Sequence, residues 1–163
     1  MVGSPPNVMP DPTFSISVRR AAAADIPRLC ELLALLFTQE AEFRPDAGRQ
    51  SRALGCILDD PATGMIVCAT ASDGEIIGMV SLLFIISTAE GGRAAWLEDM
   101  VVDPSWRGRG VGERLLQEAV SRGRAAGCTR LTLLTDETND GARRFYTRAG
   151  FVASPMMPMR LRL

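Results

Sequence analysis

The chain has 163 residues, 47% of them hydrophobic and 23% charged, with a formal net charge of −1. That composition describes one ordinary globular domain able to bury its own core, and the near-neutral balance gives no electrostatic case for a nucleic-acid partner. The longest nearly apolar stretch, 76–86, is about half of what a bilayer span needs, and residues 1–13 lack the basic start and apolar centre of a signal peptide, so a cytoplasmic protein with no membrane partner is expected.

Residues 1–13 carry Pro5, Pro6, Pro10 and Pro12 with few apolar anchors, which predicts a disordered arm ahead of a single domain over 14–163. Alternation over 15–19 predicts a first strand. Asp25 is placed to cap a helix in which Ile26, Leu29, Leu32, Leu33 and Leu36 recur at helical spacing. A polar, acidic connection over 37–46 leads to a shorter helix over 47–58, ended by Asp59, Asp60 and Pro61. Residues 65–70 and 75–87 read as a hairpin about Ser72, Asp73 and Gly74, and a turn at Gly91 and Gly92 leads to a strand ending at Val102. A long helix over 110–126 puts Val111, Leu115, Leu116, Ala119 and Val120 on one face and stops at Gly127. A strand over 131–135, a short helix over about 140–148 and closing strands at 151–154 and 159–163 complete the chain.

The chain contains neither histidine nor lysine, and its four cysteines (Cys30, Cys56, Cys68, Cys128) form no C-x-x-C pair. No zinc set or Cys-His nucleophile can be assembled from these residues, so no metal is expected and the cysteines read as small, reduced, buried apolar groups. A general base, if there is one, must be a carboxylate, a tyrosine, a backbone group or water.

The segment from Trp96 to Leu116 carries the chemistry. A run of β character stops at Asp103 and Pro104, and a turn holding Gly108, Gly110 and Gly112 opens directly into the long helix. Free N–H groups at the helix start, glycines that let the backbone approach an anion, and the flanking Arg107 and Arg109 make a phosphate cradle, and the expected ligand carries a pyrophosphate. A dinucleotide fingerprint, with Asp136 as its acid, is disfavoured because residues 103–107 separate the strand from the first glycine and the glycines read G-x-G-x-G. A Walker loop is excluded by the missing lysine. Arg107-x-x-Gly110-x-Gly112 resembles the coenzyme A pyrophosphate loop of the GNAT family of N-acetyltransferases.

A second motif supports the same resemblance: Asn139, Ala142, the Phe145-Tyr146 pair and Gly150-Phe151 are similar to the other signature of that family. The resemblance covers the C-terminal half and implies a mixed α+β fold of three layers, with a mostly antiparallel central sheet and helices on both faces. Strands 96–102 and 131–135 would be its one parallel pair, splayed so that the pantetheine arm of acetyl-CoA meets the strand edge at Met100, Val101 and Val102. It further implies that Arg107, Gly108, Arg109, Gly110, Val111 and Gly112 hold the pyrophosphate. Asn139 would cap the short helix and touch the pantetheine arm.

The implied reaction is attack of an amine on an acetyl thioester, which requires a proton acceptor. Strand alternation puts Glu98 on the face of Trp96 and Met100, and its resemblance to family members makes it the first choice of base, with Asp99 second. The competing reading is that Glu98 or Asp99 merely caps backbone groups at a β-bulge. Direct transfer from an amine of pKa about 10.4 to an ordinary Glu is uphill by roughly 8 kcal/mol, so a water relay, a raised carboxyl pKa or deprotonation after attack is needed. Tyr146, the only tyrosine, matches the family position facing the sulfur, where its phenol would stabilise the departing thiolate. Arg143, Arg144 and Arg148 read as solvated helix charges.

Acceptor choice is expected in 37–46 and 87–93, where Glu40, Glu42, Asp46 and Glu90 favour a small cationic amine such as a polyamine or aminoglycoside. A protein N-terminus or lysine side chain is the alternative acceptor, a non-catalytic acyl-CoA-binding module is the third reading, and a homodimer is kept open as the assembly.

Overall fold

The computed structural model describes residues 15–39 and 43–163. They fall into two compact units, one ending at Thr132 and the other running from Leu133 to Leu163. The expected 1–13 arm, and Glu40 and Glu42 of the acidic connection, lie outside the described residues.

In the first unit, β1 (Ser17–Arg20) is followed by α1 (Ile26–Gln39), α2 (Ala47–Asp59), β2 (Gly64–Thr70), β3 (Ile76–Ser87), β4 (Gly92–Val102), α3 (Val111–Ala125) and β5 (Leu131–Thr132). The sheet order is β1-β2-β3-β4-β5, antiparallel except for the parallel β4–β5 pair. β1 opens at Ser17, where pairing with Thr70 begins, two residues later than alternation alone suggests. Asp25 closes a 3-10 turn ahead of α1 instead of capping the helix itself: its carboxylate accepts from the Ala22 N–H (2.8 Å) and pairs with Arg19 (2.7 Å). Asp46 caps α2 by accepting from the Arg49 N–H at 3.0 Å. The β2–β3 turn follows the expected chemistry, with Gly74 at φ +88° and Asp73 accepting from the Glu75 N–H at 2.9 Å.

The apolar stripes of α1 and α2 cover one face of the sheet, where Leu29, Leu32, Leu33 and Leu54 pack with Ile66, Cys68, Met79 and Val101. The other face meets α3 through Val111, Leu115, Leu116 and Ala119, all buried. Each fully buried leucine contributes about 1.5–3 kcal/mol relative to exposure. Gly78 permits the close approach of α3, since a Cβ there would lie 2.9 Å from the Val101 carbonyl oxygen and 3.0 Å from Leu115 Cδ1. Of the cysteines, Cys30 and Cys68 are core residues as expected, but Cys56 on α2 is exposed and Cys128 is half-buried; Cys56 lies outside the buried stripe that Gln50 and Leu54 mark on α2.

The second unit contains α4 (Asp140–Arg148), capped by Asn139, whose side chain accepts from the Ala142 N–H at 3.0 Å. The expected strands at 151–154 and 159–163 are absent, and Val152, Met156, Met159, Leu161 and Leu163 are exposed. A strand exists only through its partner, and an alternating pattern supplies none. Pro155 and Pro158 also have no N–H to give to a ladder. β5 is likewise shorter than the expected 131–135, because its ladder with β4 holds only Ala95 with Leu131 and Trp96 with Thr132.

Candidate active site

β4 continues past its last parallel partner to Val102, and it does so through a bulge. Ser81 pairs with Glu98, but Met79 pairs with Val101, so β4 carries one extra residue opposite β3. Asp99 sits in it at φ +52°, the one positive φ outside glycine among the described residues. Aspartate and asparagine tolerate this region best among residues with a side chain, and such strain concentrates at functional sites. The bulge also overturns the expected alternation. Glu98 keeps the face of Trp96, but beyond the insertion that face passes to Val101, not Met100. Val101 packs in the core, whereas Met100 and Val102 turn their peptide groups away from β3: the Asp103 N–H pairs with the Ile77 carbonyl at 2.9 Å, which fixes the alternation just before it. The Val102 carbonyl accepts instead from Arg107 Nε at 3.2 Å.

The two adjacent carboxylates differ in setting. Glu98 is exposed, while Asp99 is half-buried and accepts from the fully buried Ser81 hydroxyl at 3.3 Å. Burial, reinforced by the charge of Glu98 and opposed by the Ser81 hydrogen bond, pushes the Asp99 carboxyl up to about 6. The bulge thus holds a carboxyl whose pKa lies closer to neutrality than that of an ordinary strand carboxylate.

After β4, a 3-10 turn (Pro104–Trp106) leads to Arg107, then Gly108 at φ +73°, Arg109 and Gly110 at φ +78°, which caps α3. No atom lies within 4 Å of a Cβ built on Gly108 or Gly110, so the loop presents open backbone beside the first N–H groups of α3. Arg109 stacks over the Trp106 ring, its guanidinium carbon 5.1 Å from the centroid. The loop expected to form the cradle, 107–112, thus has open backbone at Gly108 and Gly110, with Arg107 and Arg109 beside it.

Residues 26–151 match the model of the Acetyltransferase (GNAT) family. The chain belongs to that family. Among relatives, this GNAT chain is 37% identical over 81 residues to a glucosamine 6-phosphate N-acetyltransferase of Trypanosoma brucei brucei, a match covering 49% of this chain and 53% of that protein's length. It is 31% identical over 118 residues to a type 1 aminoglycoside N(6')-acetyltransferase of Stenotrophomonas maltophilia, covering 71% of this chain and 72% of the other. A crystal structure of a Trypanosoma brucei acetyltransferase superposes with TM-score 0.72 at 28% identity, over 91% of this chain and all of that one.

The second GNAT motif lies in the second unit. Tyr146 stacks edge-on between Phe145 and Phe151, with centroid separations of 5.2 and 5.7 Å, and burial pushes its phenol above the usual range. Arg143 pairs with Asp140 at 3.7 Å, while Arg144 and Arg148 are exposed. Of the acidic residues expected to favour a cationic acceptor, Asp46 is used as a helix cap, and Glu90 pairs with Arg130 (3.1 Å) and accepts from the Thr129 hydroxyl (3.0 Å). Sequence reading missed the tuning of Asp99 and its Ser81 partner; the adjacent Glu-Asp pair before an apolar run was the available signal. Among the described residues no group of three or more Cys, Asp and Glu could hold a metal ion.

Proposed function

We propose that this chain is an acetyl-CoA-dependent N-acetyltransferase acting on a primary amine of a small molecule of the amino-sugar type. The carrying observation is the continuity of carboxylate pair and phosphate cradle along one strand-turn-helix unit, β4 to α3. The residues suit the donor. The open backbone of Gly108 and Gly110, the N-terminal N–H groups of α3 at Val111 and Gly112, and Arg107 and Arg109 would hold its pyrophosphate, and the outer edge of β4 at Met100 and Val102 would take the amides of its pantetheine arm. Bound acetyl-CoA supplies the acyl group as a thioester.

The chain's own task is the proton. Asp99 is the acceptor for the proton leaving the amine nitrogen, with Glu98 beside it as the exposed partner through which water relays. With Asp99 near 6, transfer even from a lysine-like amine of pKa about 10.4 would be uphill by roughly 6 kcal/mol, about 2 less than to an ordinary glutamate, and the less basic amine of an amino sugar lowers the cost further. By their places in the family motif, Tyr146 would hydrogen-bond the departing thiolate and Asn139 would touch the pantetheine arm. The amino-sugar assignment rests on the two relatives named for such acceptors, glucosamine 6-phosphate and aminoglycosides. The acidic rim adds little, because Asp46 and Glu90 already serve the fold.

The test is a screen for acetyl-CoA-dependent thiol release with glucosamine 6-phosphate, aminoglycosides, polyamines and lysine-containing peptides. Turnover with an amino sugar and none with peptides is expected. Turnover confined to peptides would move the acceptor to protein amines, and thiol release with none of the amines would leave only an acyl-CoA-binding role.

A further inference from the structure

Arg28, in the first turn of α1, reaches across the fold to the start of the cradle. Its Nε donates to the Ile76 carbonyl at 3.0 Å, and its terminal nitrogens pair with Glu31 (2.8 Å), Glu75 (3.4 Å) and Asp103 (2.8 Å). Glu31 and Glu75 are well exposed, whereas the Arg28 and Asp103 side chains are 26% and 18% exposed, so the Asp103 pair is the sheltered one of the three. Asp103 is the residue directly after β4, and it is held on all sides. Its N–H donates to the Ile77 carbonyl at 2.9 Å; Oδ1 accepts from the Ser105 N–H (3.0 Å) and hydroxyl (2.6 Å); Oδ2 accepts from Arg28. Two successive carbonyls of β3 thus anchor the two halves of one ion pair, and that pair fixes where the chain leaves the sheet for the cradle.

This matters because the cradle is built from residues with little rigidity of their own. Gly108 and Gly110 stand at positive φ with no atom packed where a Cβ would be, so the direction of the loop is set at its two ends, by α3 on one side and by Asp103 on the other. Arg107 continues the anchoring through its N–H to the Pro104 carbonyl (3.4 Å) and Nε to the Val102 carbonyl (3.2 Å). We propose that Arg28 is a positioning residue for the acyl donor: acting through Asp103, it aims the 107–112 backbone at the donor's pyrophosphate without touching the donor. This rests on the cradle reading above.

The experiment compares two donors, acetyl-CoA and S-acetylpantetheine, which shares the thioester and amide arm but has no pyrophosphate. It uses an amine that the wild type accepts, with CoA affinity measured separately by calorimetry. Arg28→Gln should raise the acetyl-CoA KM and the CoA Kd by about ten- to a hundredfold, the scale at which a misplaced binding group acts. The turnover number, the amine KM and kcat/KM for S-acetylpantetheine should stay within about twofold, since truncating the donor removes the contact that Arg28 serves. Arg28→Lys, which keeps the charge opposite Asp103, should recover most of the affinity. Asp103→Asn should reproduce the Arg28→Gln defect, and the double variant should be no worse than either single one. Equal losses with both donors, or unchanged CoA affinity in folded Arg28→Gln and Asp103→Asn, would overturn the proposal. A wild type that uses S-acetylpantetheine as well as acetyl-CoA would instead overturn the cradle reading itself, and this inference with it.

Discussion

Asp99 is where one residue's backbone, burial and chemistry are tied together. Its carboxyl is raised from 3.8 to about 6, so the native state holds the proton more tightly than the unfolded chain does. A raised carboxyl costs stability when ionised. The cost is absent below about pH 4, grows as pH rises toward 6, and is complete above it, reaching about 3 kcal/mol for two units. Asp99→Asn removes the charge and keeps a side chain suited to positive φ. The variant should therefore be more stable than wild type at pH 7 to 8, by up to about 3 kcal/mol, with the difference closing by pH 4, as read from urea midpoints across that range. Its turnover at neutral pH should fall by about 10² to 10⁴ and recover as rising pH deprotonates the amine unaided. Glu98→Gln should show a smaller loss in turnover and, by removing a neighbouring charge, a lower Asp99 pKa in the pH-rate profile. If Glu98→Gln is the more damaging change, the two carboxylates exchange roles. Sequence showed that a carboxylate pair stood before an apolar run, but not which member was tuned. A bulge is one extra residue relative to the strand opposite, and that relation exists only once β3 and β4 are paired.

At the scale of elements, legibility followed locality. α1, α2, α3 and α4 were readable because apolar spacing, the Asn139 cap and Gly110 act within a few residues of one another; the Asp46 cap of α2 is as local, but in the sequence Asp46 was read only as acidic charge. The β2–β3 hairpin was readable for the same reason. Strands that depend on a distant partner were not: β5 came out shorter, and 151–154 and 159–163 carry the alternation without the ladder. The start of α3 yields a prediction of its own. Gly110 is open to solvent, but its φ of +78° makes any L side chain strained. Gly110→Ala should cost about 1 to 2 kcal/mol in unfolding free energy as well as weakening CoA binding, so both must be measured to separate fold from function. In α4, Tyr146→Phe preserves the ring stack with Phe145 and Phe151 and removes only the hydroxyl. Turnover should fall with the acetyl-CoA KM nearly unchanged; unchanged turnover would leave Tyr146 a packing residue.

For the whole molecule, the proposed donor would be met by two features that follow one another along the chain, the edge of β4 and the loop that opens α3. On the proposed reading the cradle would offer amides and guanidinium groups to a pyrophosphate, and the β4 edge beyond Trp96 would offer peptide groups at Met100 and Val102. A dinucleotide such as NAD shares the pyrophosphate with CoA but has no amide arm to lie along a strand edge. Because neither feature survives in the unfolded chain, a ligand using both should stabilise the native state by mass action, by about 2.7 kcal/mol at a hundredfold excess over Kd. For a domain of this size that corresponds to a rise in Tm of roughly 5 to 10 °C. CoA and acetyl-CoA should give that shift at concentrations where NAD gives little, and Arg28→Gln should reduce it without lowering the ligand-free Tm by a comparable amount. Equal shifts with NAD would mean that the cradle alone binds and the β4 edge is not used, whereas a larger shift with NAD would remove acetyl-CoA as the donor.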